Sequence, residues 1–265
     1  MSIESSSGSA NTIPAGHTVT ANTSSRINRW FENHWLLTFN AGWGIFVILP
    51  WLAPIFMVLG LTWPGRAIYF IYNFFCHQLP ERSWFLFGPS FSYSQVQIAE
   101  AMNLRVVDIS SELVRRHFIG TAAMGWKVAW SDRMVSMYTT IFLFGLVYAL
   151  LRNRSNKIKG ISWWLFGLLI LPLALDGTTH LINDALRLDF RQTNEWAVIL
   201  TNNTFSPEFY VDDRFGSLNS ILRILTGILF GYGVVAFLWP IMDVEFSPKQ
   251  KIGGLQVSKE HRTTL

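Results

Sequence analysis

Residues 35–61 run for 27 positions without a single charged side chain. At 1.5 Å rise per residue, a helix of that length crosses the ~30 Å hydrocarbon core of a bilayer with room to tilt. Three further stretches are of the same kind. Residues 134–151 end at Arg152, residues 161–182 are apolar up to Asp176, and residues 221–242 are apolar apart from Arg223. Hydrocarbon offers no partner to an open backbone, so such stretches span as helices. The composition agrees: half of the residues are hydrophobic, 12 are Trp and 21 are Phe, while 14% are charged, a balance unusual for a soluble domain. The expected fold class is all-α, an integral membrane protein with about four transmembrane helices near 35–61, 134–151, 161–182 and 218–242.

Two shorter apolar segments predict one or two interfacial or re-entrant helices. Residues 67–75 are too few to span, and residues 118–130 are interrupted by Lys127. Residues 1–30 open with a Ser-, Thr- and Gly-rich stretch and no basic region ahead of an apolar core, which reads as a disordered tail rather than a signal peptide. Residues 243–265, with Pro248, Lys249, Lys251, Gly253 and Gly254, read as a flexible tail after a membrane domain over 31–242.

Arg152, Arg154, Lys157 and Lys159 crowd one short loop that contains no acid, the pattern of a cytoplasmic loop. Both termini then fall on the cytoplasmic side of the plasma membrane, and the long connections 62–133 and 183–217 face outward. The lipid bilayer is the expected partner, with other subunits of a membrane complex or a second copy beside it. The basic residues flank membrane segments instead of forming a nucleic-acid footprint, so no nucleic-acid partner is expected. Cys76 is the single cysteine, which excludes an intrachain disulfide.

Charges inside apolar spans are costly, and they usually pair and mark function. Asp176 and Arg223 have opposite signs, so the simplest expectation is that they meet. Asn219 precedes Arg223 by one helical turn, and Asp176, His180 and Asp184 recur every four residues. Such a face could offer oxygen and nitrogen ligands to a metal, with His77, Asp176 and His180 as the candidates. A polar helix end leaving the membrane explains the same spacing without one. Arg66, Tyr69, Asn73 and Cys76-His77 share another helical face, which Pro80 ends. Cys76 lies among Phe74 and Phe75 and reads as a buried thiol. Glu81 and Arg82 read as a local pair, and Asp132-Arg133 as charges at the membrane boundary. Residues 95–116 fit two short amphipathic helices broken near Asn103 and Asp108. Gly227 and Gly231 form a small face suited to close helix contact. The expected polar cluster thus contains Cys76, His77, Gln78, Arg82, Arg133, Asp176, His180, Asn219 and Arg223.

These residues also carry a resemblance. Cys76-His77-Gln78, followed by Arg82-Ser83-Trp84, resembles the Cys-His-Gln opening of an uncharacterised family of prokaryotic membrane proteins, domain of unknown function 2085. Ser131-Asp132-Arg133-Met134 falls where that family has Cys-x-Arg-Cys. Asp176-Gly177-Thr178-Thr179-His180 resembles its Asp-Gly-x-x-Gln element, and Asn219-Ser220-Ile221-Leu222-Arg223 with Thr226-Gly227 resembles its close. Ser131 and Met134 stand in place of a cysteine pair, and His180 in place of glutamine. The resemblance implies a membrane protein without an assigned activity.

Catalytic triads and phosphate loops are absent from the sequence, and no cofactor is required by it. A non-catalytic membrane protein or an accessory subunit of a membrane complex, with a buried polar cluster near the outer face, is the leading expectation. A membrane enzyme or cofactor-binding protein with an outward site is the alternative. A small-solute transporter, suggested by Pro50, Pro54, Pro172 and Gly177 as helix breaks, is a third.

Overall fold

The computed structural model describes residues 18–108, 111–154, 158–186, 188 and 190–246. The expected tail residues 1–17 and 247–265, with Pro248, Lys249, Lys251, Gly253 and Gly254, lie outside them, as do Lys157 of the basic loop and the side chain of Asp184. The described residues divide into two compact units, 18–38 with 243–246 and 39–242. In the first, the Trp35 indole donates to Asp243 Oδ1 at 3.3 Å, and Phe31 meets Phe246 edge-on at 5.7 Å.

Four helices are long and apolar enough to cross a membrane, over Arg26–Val58, Asp132–Arg154, Trp163–Asn183 and Leu218–Phe246. They belong to α1 (Thr18–Val58), α5 (Asp132–Arg154), α6 (Trp163–Leu186) and α10 (Leu218–Phe246). Short helices fill the two long connections: α2 (Thr62–Tyr72), α3 (Gln95–Ala101) and α4 (Glu112–Arg116) in the first, then α7 (Phe190–Thr193), α8 (Glu195–Leu200) and α9 (Pro207–Val211) in the second. α1 begins at Thr18, so residues 18–30 are helical where a tail was expected. No glycine or proline lies between Thr18 and Ala41 to stop the helix.

The first connection also departs from the all-α expectation by a small antiparallel sheet of order β1-β3-β2. Its strands are β1 (Ser83–Leu86), β2 (Gly120–Thr121) and β3 (Gly125–Ser131). Residues 118–130 were expected as an interfacial helix, and the structure makes most of them a hairpin instead. Gly120 and Gly125 have φ of +113° and +82°, and a Cβ at either would collide with backbone of a neighbouring strand. Between them and the membrane, Trp126, Val128 and Trp130 supply the aromatic and β-branched side chains that favour strands. β3 then feeds directly into α5 at Asp132, so the sheet fixes where that span starts.

The main core lies where β3, α1, α2 and α5 meet. Trp130 is fully buried there, with Phe46 and Tyr72 at ring distances of 5.1 and 5.3 Å. α2 ends at Tyr72, so Pro80 does not terminate it; a turn at 73–75 does. The close packing of α10 on α5 runs through the expected small face. A Cβ on Gly231 would come within 2.7 Å of the Met137 carbonyl, and one on Gly227 within 2.2 Å of Ser136 Oγ. α6 touches another face of α10, where Phe166 stacks on Phe237 at 4.4 Å. It is the span least covered by protein, with 11% of its apolar window buried against 33–39% for the other three.

Substituting Gly231→Val should push α10 off α5 and destabilise the folded protein by about 1–3 kcal/mol. Gly42→Ala, where nothing lies within 4 Å of the new Cβ, should cost nothing measurable. Thermal unfolding of both variants in one detergent checks the contrast.

Candidate functional site

Asp132 and Arg133 are neighbours at the first turn of α5, and each reaches a different span. Arg223 Nε and Nη2 donate to Asp132 Oδ1 and Oδ2 at 2.8 and 2.9 Å, a two-pronged pair with both side chains 2% exposed. Arg133 Nη2 donates to Asp176 Oδ2 at 2.6 Å. Adjacent residues on a helix point about 100° apart, so one dipeptide serves α10 on one side and α6 on the other.

The connections complete both halves. Arg223 Nη1 donates to Asp213 Oδ1 at 2.7 Å, and Arg82 Nε and Nη2 reach Asp213 Oδ2 at 3.1 Å. Burial by itself would raise the Asp213 carboxyl, but Arg82 and Arg223 outweigh it and hold the group below the usual carboxylate range. Asp176 receives a second guanidinium, Arg191 Nη2 at 2.5 Å, from α7. The same Nη2 lies 2.8 Å from His180 Nε2. Arginine can only donate, so that nitrogen accepts and the ring is neutral with its proton on Nδ1. Asn219 ties the two halves together, donating to the Arg191 and Asp212 carbonyls while accepting from Asn194 at 3.1 Å.

The expected contact between Asp176 and Arg223 is therefore corrected: each is paired, but not to the other. Arg223, Gly227 and Gly231 recur every four residues, so the arginine sits on the face of α10 that packs against α5. Its partner is the acid at the start of α5. Asp132-Arg133, expected as inexpensive boundary charges, is buried at its acid and central to the network. Glu81 and Arg82 do not pair locally either. Glu81 meets Arg115 at 3.0 Å, and Arg82 goes to Asp213. Asp213 and Arg191 were missed because each lies in a connection whose folding back is decided by tertiary contacts.

Cys76-His77-Gln78 follows the turn at 73–75 as irregular chain, and its members have different roles. Gln78 is buried with φ of +53°, and its amide donates to the Tyr69 carbonyl at 2.9 Å. Its own carbonyl accepts from Lys127 Nζ at 2.5 Å. Lys127 is completely buried, and that burial pushes its pKa down to about 7. Cys76 is buried, with Sγ 3.5 Å from Ser131 Oγ. His77 is exposed. His180 lies 3.9 Å from Asp176, but among the described residues no three His, Cys, Asp or Glu side chains gather as a metal-ligating group. A cavity of about 290 Å³ adjoins the network, lined among others by His77, Arg82, Arg133 and Arg223.

Residues 120–237 match the model of a family described as predicted membrane protein, DUF2085. The expected resemblance holds over that segment. The chain is also similar to an uncharacterised protein of the archaeon Methanocaldococcus jannaschii, 25% identical over 202 residues that cover 74% of this chain and 85% of the relative. No solved structure matches. The DUF2085 segment includes β3, α5, α6 and most of α10, and so Asp132, Arg133, Asp176, Arg191, Asp213 and Arg223. Cys76, His77, Gln78 and Arg82 lie before it, and the match does not extend to the Cys-His-Gln element.

Two experiments check this geometry. Asp132→Leu or Arg223→Met alone should each cost about 3–5 kcal/mol, because the first takes the two-pronged acid from buried Arg223 and the second leaves buried Asp132 without its guanidinium. Combined, they should show strong coupling, whereas Asp176→Leu and Arg223→Met should combine additively in the same unfolding assay. Ser131→Cys should form a disulfide with Cys76 under mild oxidation, read as a loss of both thiols to alkylation in the unfolded chain.

Proposed function

We propose that this is a non-catalytic plasma-membrane protein, an accessory subunit of a membrane complex, whose charge network locks its long connections onto the outer ends of the spans. The orientation rests on Arg152, Arg154 and Lys159, which lie at the opposite end of α5 and α6 from the network and carry the cytoplasmic-loop pattern.

One observation carries the reading. The three aspartates of the network are each held by arginine: Asp132 by Arg223, Asp176 by Arg133 and Arg191, Asp213 by Arg82 and Arg223. A general base needs a free lone pair within reach of substrate and a pKa poised near the working pH. Carboxylates clamped by guanidinium groups are suited to holding geometry. The neighbouring thiol is likewise engaged in local contacts, since Cys76 Sγ meets the Ser131 hydroxyl and accepts from the Gln78 backbone N–H.

The bare side of α6 is where a partner subunit is expected. Leu168 and Leu175 are 63% and 57% exposed, and a side so open meets either lipid or protein. A photo-crosslinking residue at each position, activated in native membranes, should give a discrete protein adduct. Adducts to lipid alone at both positions would refute the accessory-subunit reading.

A further inference from the structure

We infer that the cavity beside the charge network is a binding site for a phosphate-type oxyanion, carried by a phospholipid headgroup or free in solution. It is lined by three arginines, Arg82, Arg133 and Arg223, together with His77, and none of the described residues lining it is acidic. The aspartates that hold these arginines are not among the lining residues, and Arg133 is the lining arginine that keeps donors no acid takes up. A guanidinium group with free forked donors is the side chain best matched to phosphate oxygens, and the other cationic groups of the lining add attraction for an anion.

Arg133 supplies the decisive detail. Of its guanidinium nitrogens only Nη2 has an acceptor, Asp176, and its buried Nε has no hydrogen-bond partner. A buried donor left unmatched is costly, and such groups call for a missing acceptor. Arg223, by contrast, is engaged at all three nitrogens by Asp132 and Asp213. Arg133 is thus held in place through one nitrogen and keeps donor capacity for an anion.

Size and surroundings narrow the ligand further. About 290 Å³ is at the small end of ligand sites, enough for a headgroup and too little for a peptide. Phe74 and Phe75 line the same cavity and are 76% and 51% exposed. They give it an apolar flank against which a lipid chain could lie. Arginines beside exposed aromatics, at the loop-bearing ends of membrane spans, match the two halves of an anionic amphiphile.

The test uses the full chain in a neutral alkyl-glycoside detergent, with two probes. Native mass spectrometry follows retention of phosphatidylglycerol, and thermal unfolding follows stabilisation by inorganic phosphate over chloride at equal ionic strength. Two variants accompany the wild type. Arg133→Lys keeps a charge for Asp176 but removes the extra donors. His77→Glu places a negative charge at the cavity from an exposed position outside the ion-pair network. Each should weaken binding by about tenfold or more. Should Arg133→Lys fail to fold, His77→Glu decides alone. Retained phosphatidylglycerol without a phosphate effect assigns the lipid as the source; stabilisation by phosphate without lipid retention assigns the free anion. The inference is overturned if the wild type responds to neither probe, or if every folded variant binds as the wild type does. Because crosslinking from α6 reads a different face, its outcome and this one are independent.

Discussion

The rest of the structure depends on how Asp132 and Arg133 divide their partners. Two spans each contain one charge that lipid could not solvate, Asp176 on α6 and Arg223 on α10. The first turn of α5 presents both countercharges on adjacent residues. That arrangement needs α5 to begin at one place and no other, because a shift by a single residue would turn both side chains by about 100°. β3 provides the fixed start. It runs into α5 without a loop, and its pairing with β1 sets Ser83 opposite Ser131. The small sheet therefore positions the membrane network, and Gly120 and Gly125 are the residues that let the hairpin close.

Much of this was legible in the sequence at the level of elements. The four spans follow from run length, since the hydrocarbon thickness imposes its own ruler on the chain. Arg223 and Asp176 stood out because charge in such runs is expensive. Their pairing was read too simply, and the sequence already held the correction. Gly227 and Gly231 share the Arg223 face, and a close-packing face points to whichever helix packs closely, which is α5. Arg133 was in the expected cluster, but Asp132 was left out and both were read as boundary charges, because charges at the start of a span usually lie in the headgroup region. Here the two connections fold over them, burying Asp132 fully and Arg133 in part.

What stayed hidden is what lies far away along the chain. Arg82 reaches Asp213 across 131 positions, and Arg223 reaches Asp132 across 91. Neither distance leaves a local periodicity to detect. The hairpin at 120–131 was misread for another reason: a short apolar run is ambiguous between helix and strand, and Lys127 looked like an interruption when it is a buried hydrogen-bond donor to Gln78. Left-handed Gln78 and buried Lys127 hold each other in place, which gives the Cys-His-Gln segment a structural role.

The network also explains how α6 is held. A helix with so little of its surface covered gains little from apolar contact, because lipid tails solvate leucine as well as another helix does. Its fixed points within the membrane-spanning region are few: the stack of Phe166 on Phe237 and the approach of Leu169 to Gly233 toward one end, Asp176 with its two arginines toward the other. An ion pair in a water-poor setting is directional where packing against lipid is not. Asp176 thus turns a helix that could slide or rotate in the bilayer into one with a defined register, and Arg191 couples that register to the second connection. The ion pairs of Asp132, Asp176 and Asp213 link three spans and two connections while most of α6 remains uncovered.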